Sequence, residues 1–133
     1  MFEFGVPSSR KNEVIDITER VEALVQSSGV KEGICLIYAP HATAAILIME
    51  ADGLVEKDTL NSLSNMVPNS STYAHSPGSE HGSAHVKSAL FGCSKAVPVS
   101  KGALKLGIWQ NICFCELDGP RSDRKVIVEV VGR

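Results

Sequence analysis

The chain has 133 residues and a formal net charge of -2, with an isoelectric point near 6.1. That length suits one domain over 1–133, able to bury about two-thirds of its unfolded surface without a disulfide or structural metal. The slight acidic excess argues against nucleic acid as the partner, because phosphate backbones recruit basic surfaces. No run approaches the roughly 18 apolar residues of a membrane span. Residues 1–10 show no basic segment followed by an apolar run, so no secretory leader is expected and the expected location is cytoplasmic. Of the four cysteines, Cys113 and Cys115 share one face of any strand that holds them, and no CxxC pair occurs. All four read as free thiols in a reducing compartment.

In chain order, 2–6 alternates weakly and predicts an opening strand. Residues 19–28 carry Val21, Leu24 and Val25 at helical spacing, with Asp16 or Thr18 as the N-cap and Gly29 as the stop. Residues 33–38 and 44–49 are apolar runs of strand length. The break Ala39-Pro40-His41 suggests neighbouring strands with His41 near their turn. Residues 54–63 have helical spacing. The stretch 68–83 is rich in Ser, Gly and Pro, which is loop chemistry and the part most expected to move. A helix over 83–90 follows. Strands are then predicted over 97–99, with Pro98 marking an edge, and over 104–106, 108–117 and 125–131, with Asp118-Gly119-Pro120-Arg121 as the last turn. Helices that do not alternate regularly with strands make this an α+β chain.

The polar residues that interrupt these segments are the candidates for chemistry. All four histidines lie between 41 and 85. His81 and His85 have the i, i+4 spacing of a helical metal pair. Gly82 weakens a helix at that point, and His81 reads as part of the loop. Glu50 closes the 44–49 run and Glu116 sits inside an apolar one, where a carboxylate is costly unless it is paired, metal-bound or turned to solvent. Asp58 falls on a helix, where a solvated face is the plain reading. Trp109 reads as a packing anchor, and Gln110 beside it, in an apolar strand, wants a partner. Arg121 after Gly119-Pro120 suits a phosphate or carboxylate.

Taken together, these pieces carry a resemblance. The stretch HATAAILIMEAD at 41–52, the run Leu106-Gly107-Ile108-Trp109-Gln110, the turn Glu116-Leu117-Asp118-Gly119-Pro120-Arg121 and the series His41, His75, Ala84-His85 stand in the order of the YjbQ-like family, also called secondary thiamine phosphate synthases. The likeness covers nearly the whole chain. It departs at Ala42, Met49 and Ile108, where the family commonly has polar residues, and at Ser122-Asp123-Arg124, one residue longer than the usual tail.

The resemblance implies an α+β fold with a β-sandwich-like, mostly antiparallel core and two or three helices, assembled as a homotrimer. It implies transferase chemistry that joins a pyrimidine-methyl diphosphate to a thiazole phosphate. Family motif positions fall on His41, Glu50, Asp58, His75, His85, Gln110, Glu116, Asp118 and Arg121, but not His81. On that basis His41, Glu50, Gln110 and Glu116 are expected in catalysis, with His41 near Glu50. Arg121, Trp109 and Asp58 are expected at the phosphorylated substrate. His75, His85 and Asp118 are expected at a divalent metal ion, Mg or Zn. Two other readings stay open: a zinc-dependent hydrolase of a small substrate, and a non-catalytic trimeric module that binds an anion or small molecule.

Overall fold

A computed structural model describes residues 1–69, 73–75 and 81–133. The chain forms strand β1 (Phe2–Val6), β2 (Glu13–Asp16), helix α1 (Thr18–Ser28), β3 (Glu32–Tyr38), β4 (Ala44–Met49), α2 (Gly53–Met66), α3 (His81–Phe91), β5 (Ser94–Ser100), β6 (Ala103–Leu104), β7 (Asn111–Glu116) and β8 (Arg124–Gly132). The strands make a five-stranded sheet in the order β1-β8-β3-β5-β6 and a three-stranded sheet in the order β2-β7-β4. All pairings are antiparallel. The expected α+β class with a mostly antiparallel core is therefore the observed one.

The two sheets and α1 enclose the main core. Ile37, Val97, Val126 and Val128 of the larger sheet meet Ile46, Ile112 and Phe114 of the smaller one, with Val21 and Val25 of α1 beside them. The second face of the smaller sheet carries Val14, Ala45, Cys113 and Cys115, which pack against Leu63 of α2 and Ala84 of α3. β7 is thus covered on both faces. Residues two apart on a strand share a face. Ile112, Phe114 and Glu116 therefore point between the sheets, while Cys113 and Cys115 point at the helices. All four cysteines are free thiols. Burial pushes Cys35 up to about 11, and Cys113 and Cys115 up to about 12.

Several local expectations change. β3 and β4 lie in different sheets. Ala39-Pro40-His41 is a crossing between layers, since a proline-containing break gives the chain room to leave one sheet for the other. α1 has Ile17 at its N-cap with no side-chain cap bond. Asp16 Oδ1 accepts instead from the Thr18 backbone N–H at 3.0 Å and hydroxyl at 2.6 Å. β7 begins at Asn111, so Ile108, Trp109 and Gln110 sit in the turn before it. Trp109 is 69% exposed and not a packing anchor within this chain. Pro98 does not mark an edge strand: β5 lies between β3 and β6, although β6 pairs with it only at Val99 and Ser100.

α3 starts at His81, two residues earlier than its spacing suggests, and includes Gly82. A Cβ built on Gly82 would stand 2.6 Å from Tyr73 Cγ. The glycine is there to admit Tyr73 against the helix, and its cost in helix propensity is the cost of that contact. Residues 70–72 and 76–80 of the expected loop lie outside the described residues.

Candidate functional site

The site is built at the end of β7 where the strand runs out of the sandwich. Glu116 is fully buried there, on the inward face. Arg124, the first residue of β8, shares the inward parity of Val126 and Val128 and is also buried. Its Nη2 donates to Glu116 Oε2 at 2.5 Å and its Nε to Oε1 at 2.9 Å. Nη2 also donates to Thr43 Oγ1 at 2.8 Å. Ser8 Oγ donates to Glu116 Oε1 at 2.7 Å, and the Asp118 N–H to Oε2 at 3.1 Å. Burial pushes the Glu116 carboxyl up, but the bonds from Arg124, Ser8 and the Asp118 N–H outweigh it and hold the group below the ordinary glutamate value. Glu116 does not turn to solvent as strand alternation would allow. Both of its oxygens are committed, so it acts as the internal anchor of the site.

That anchor positions the next turn. Ser8 Oγ accepts from the Arg121 N–H at 2.9 Å, and the Ser8 N–H donates to the Arg121 carbonyl at 2.8 Å. Arg121 Nη2 donates to Asp118 Oδ2 at 3.0 Å, and Nε to the Asp118 carbonyl at 3.0 Å. Lys11 pairs with Asp118 Oδ1. His81 Nδ1 lies 3.3 Å from Asp118 Oδ2. Burial raises the Asp118 carboxyl, and Lys11, Arg121 and His81 together bring it below its usual value. One carboxylate thus gathers two cations and a histidine at the surface.

Three imidazoles extend this group. His75 and His85 have ring centroids 4.7 Å apart, edge to face. His81 is 6.4 Å from each. The i, i+4 spacing of His81 and His85 on α3 does what helical geometry predicts. His81 is therefore part of the cluster, in contrast to its expected place in the loop. Among the described residues, no three histidine, cysteine, aspartate or glutamate side chains are grouped so as to hold a metal ion. The expected set of His75, His85 and Asp118 does not come together as donors, because the Asp118 oxygens are held by Lys11, Arg121 and His81.

His41 lies close by, its ring 6.3 Å from that of Phe114. Its Nε2 donates to the Lys125 carbonyl at 2.9 Å, which requires the proton on Nε2 and leaves Nδ1 as a lone-pair acceptor. Burial lowers its basicity and the cations Arg124 and Arg121 add to that, against the Lys125 carbonyl and Glu116, which raise it. The balance of these effects lowers the His41 pKa and favours its neutral ring.

The remaining predicted residues lie elsewhere. His41 precedes β4 and Glu50 follows it, so the six-residue strand separates them by about 20 Å; they are not neighbours within this chain. Ala44 pairs with Glu116 at one end of β7, while Met49 pairs with Asn111 at the other. Glu50, Trp109 and Gln110 belong to that far end, where Gln110 Oε1 accepts from the Gly107 N–H at 2.8 Å. Asp58 is exposed on α2. Sequence reasoning missed Arg124, Ser8 and Lys11. Arg124 had a readable signal, a charge opening the apolar run of β8. Ser8 and Lys11 had none, since their roles depend on a contact more than 100 residues away in the chain.

The same architecture recurs in solved structures. A YbjQ-like protein of unknown function from Sulfolobus solfataricus superposes with a TM-score of 0.96 at 38% identity, covering 99% of this chain and 96% of that one. An uncharacterised YjbQ/UPF0047 protein from Clostridium acetobutylicum gives 0.91 at 40% identity, over 98% and 100%. In sequence, the UPF0047 protein YugU of Bacillus subtilis is 42% identical over 129 residues, 96% of each chain. A UPF0047 protein of Methanocaldococcus jannaschii is 39% identical over 133 residues, 99% of this chain and 94% of that one. The family model described as UPF0047 protein YjbQ-like matches residues 2–133. With fold and sequence in agreement from end to end, this chain belongs to the UPF0047 family of YjbQ-like proteins.

Proposed function

We propose that the protein is a transferase of the thiamine phosphate synthase type, acting on small phosphorylated molecules and not on nucleic acid or membranes. The observation that carries this reading is the gathering of Lys11, Arg121 and His81 on Asp118, with His75 and His85 packed against His81 and His41 nearby. Cations and protonatable rings at one surface point match a departing diphosphate, whose charge must be neutralised as it forms. The methylene carbon–oxygen bond of a pyrimidine-methyl diphosphate breaks, and its electron pair leaves with the diphosphate. The ring nitrogen of a thiazole phosphate supplies the pair for the new carbon–nitrogen bond, giving thiamine phosphate and diphosphate. Lys11, Arg121 and the histidines hold the anionic groups, and His41 Nδ1 accepts a proton or hydrogen bond from the pyrimidine amino group. A magnesium or zinc ion belongs to this reading only as a cofactor to be tested, and no step is assigned to it.

The test is purified protein with both substrates, once with magnesium and once with zinc. Thiamine phosphate and diphosphate in equal amounts are expected. Their absence under both conditions overturns the transferase reading. The alternative of a zinc-dependent hydrolase is tested in the same preparation; zinc that stays at one per chain through dialysis, with phosphate-ester hydrolysis, is its signature. Saturable anion binding without turnover of any kind is the signature of a non-catalytic binding module. Assembly as a homotrimer is also part of the proposal. It is supported by the outward face of the larger sheet, where Ile34, Leu36 and Tyr38 are 56%, 41% and 39% exposed.

A further inference from the structure

A cavity of about 220 Å³ opens beside the histidine cluster, walled by Ala42, His85, Ser88, Ala89, Gly92 and Cys93. It lies between the second half of α3, the turn that ends that helix, and the residue that follows His41 in the crossing from β3. Its walls are small by composition. Gly92 has φ +87, in the left-handed region that favours glycine. Ser88 Oγ donates to the Ala44 carbonyl at 2.6 Å, so what remains of the hydroxyl toward the cavity is an acceptor. Ala42 and Ala89 are exposed and make no demand on the core. Cys93 is half-buried, whereas Cys35, Cys113 and Cys115 are buried.

We propose that this cavity seats a single heteroaromatic ring bearing a phosphorylated arm, and that Ala42 and Ala89 set the size of ring admitted. The volume admits a ring: an enclosed apolar cavity of about 150 Å³ holds benzene, and this one, about 220 Å³ and open on one side, has room for one substituted ring against its small walls. Continuity decides the arm. His85 lines the cavity and also faces His75 across 4.7 Å, while His81 leads on to Asp118 and its cations. A ring in the cavity therefore directs its arm along the imidazoles toward Lys11 and Arg121. This subsite rests on the transferase reading for its choice of rings, but it is testable apart from turnover.

The experiment uses full-length protein carrying carbon-13 in its alanine methyls, titrated separately with thiazole phosphate, pyrimidine-methyl phosphate and inorganic phosphate. Saturable shifts of the Ala42 and Ala89 methyls are expected with at least one ring compound and not with inorganic phosphate. Ala89→Phe, on an exposed helix position, is expected to weaken ring binding by about tenfold and leave phosphate binding unchanged. Methyls that neither ring compound moves, or ring binding that Ala89→Phe leaves intact, would overturn the subsite. Ring binding without thiamine phosphate formation overturns the transferase reading and leaves the subsite standing. Thiamine phosphate formation that Ala89→Phe does not alter overturns the subsite and leaves the transferase reading standing.

Discussion

For the buried pair of Arg124 and Glu116, removing one member differs sharply from removing both. Taking away one partner of a buried pair leaves a bare charge in the core, which costs on the order of 3–5 kcal/mol. Glu116→Gln is therefore expected to lower the melting temperature by roughly 10–15 °C, and the double variant Glu116→Gln with Arg124→Met by clearly less. Calorimetry on the two proteins decides it; equal losses would mean that the pair is not what holds this end of the sandwich. The sign with pH follows from the direction of the shift. The folded Glu116 carboxyl lies below its ordinary value of 4.5, so the unfolded chain takes up the proton first as pH falls. The contribution is complete above about 4.5 and is lost as pH drops through the folded value. His41 gives a kinetic counterpart. Its basicity is lowered from 6.5, so the acidic limb of kcat/KM is expected below 6.5 and absent in His41→Gln. A limb unchanged in that variant would assign the proton acceptor elsewhere.

At the scale of elements, α3 does the most for the site, because one turn of helix delivers both His81 and His85. Alanine replacing glycine inside a helix normally stabilises it by about 1 kcal/mol. At position 82 the added methyl meets Tyr73, two residues before His75. Gly82→Ala is therefore expected to keep its helical circular dichroism and lose at least about tenfold in affinity for phosphorylated substrate, read by calorimetric titration. Undiminished affinity would show that Tyr73 does not position His75. The same helix shows why the sequence was legible only in part. The 44–49 strand and the helical stretch at 54–63 announce themselves through local period, and local period is what a chain displays. Gly82 reads as a helix breaker because its reason is a side chain brought in from outside the helix. The crossing at Ala39-Pro40-His41 reads as a turn because nothing local says that the chain changes sheets. Glu116 was recognisable as a buried carboxylate in need of a partner, but Ser8 and Lys11 could not be found, since antiparallel layering alone brings the 7–12 loop to the end of β7.

At the scale of the whole molecule, the residues singled out by the family resemblance, Asp58 on α2 apart, fall into two groups at opposite ends of β7. His41, His75, His85, Asp118 and Arg121 share the end that Glu116 anchors, and Glu50, Trp109 and Gln110 share the end that begins at Asn111. The strand between them is about 20 Å long, too far for one small substrate to touch both. Yet Trp109 and Ile108 are 69% and 89% exposed, an expense that a lone subunit has no reason to bear. The proposed trimer, if cyclic, would resolve this, because a heterologous contact places one end of a subunit against the other end of its neighbour. If the proposed site is shared in that way, His85→Ala and Trp109→Ala are each expected to abolish thiamine phosphate formation in a pure preparation. Mixed trimers made by co-expression then contain sites with both residues intact, one contributed by each neighbour, and are expected to recover a measurable part of wild-type activity. Light scattering should give three copies of the 14.2 kDa chain for each variant and for the mixture. Full loss in the mixture, with the trimer intact, would confine the site to a single chain and leave Trp109 serving contact alone.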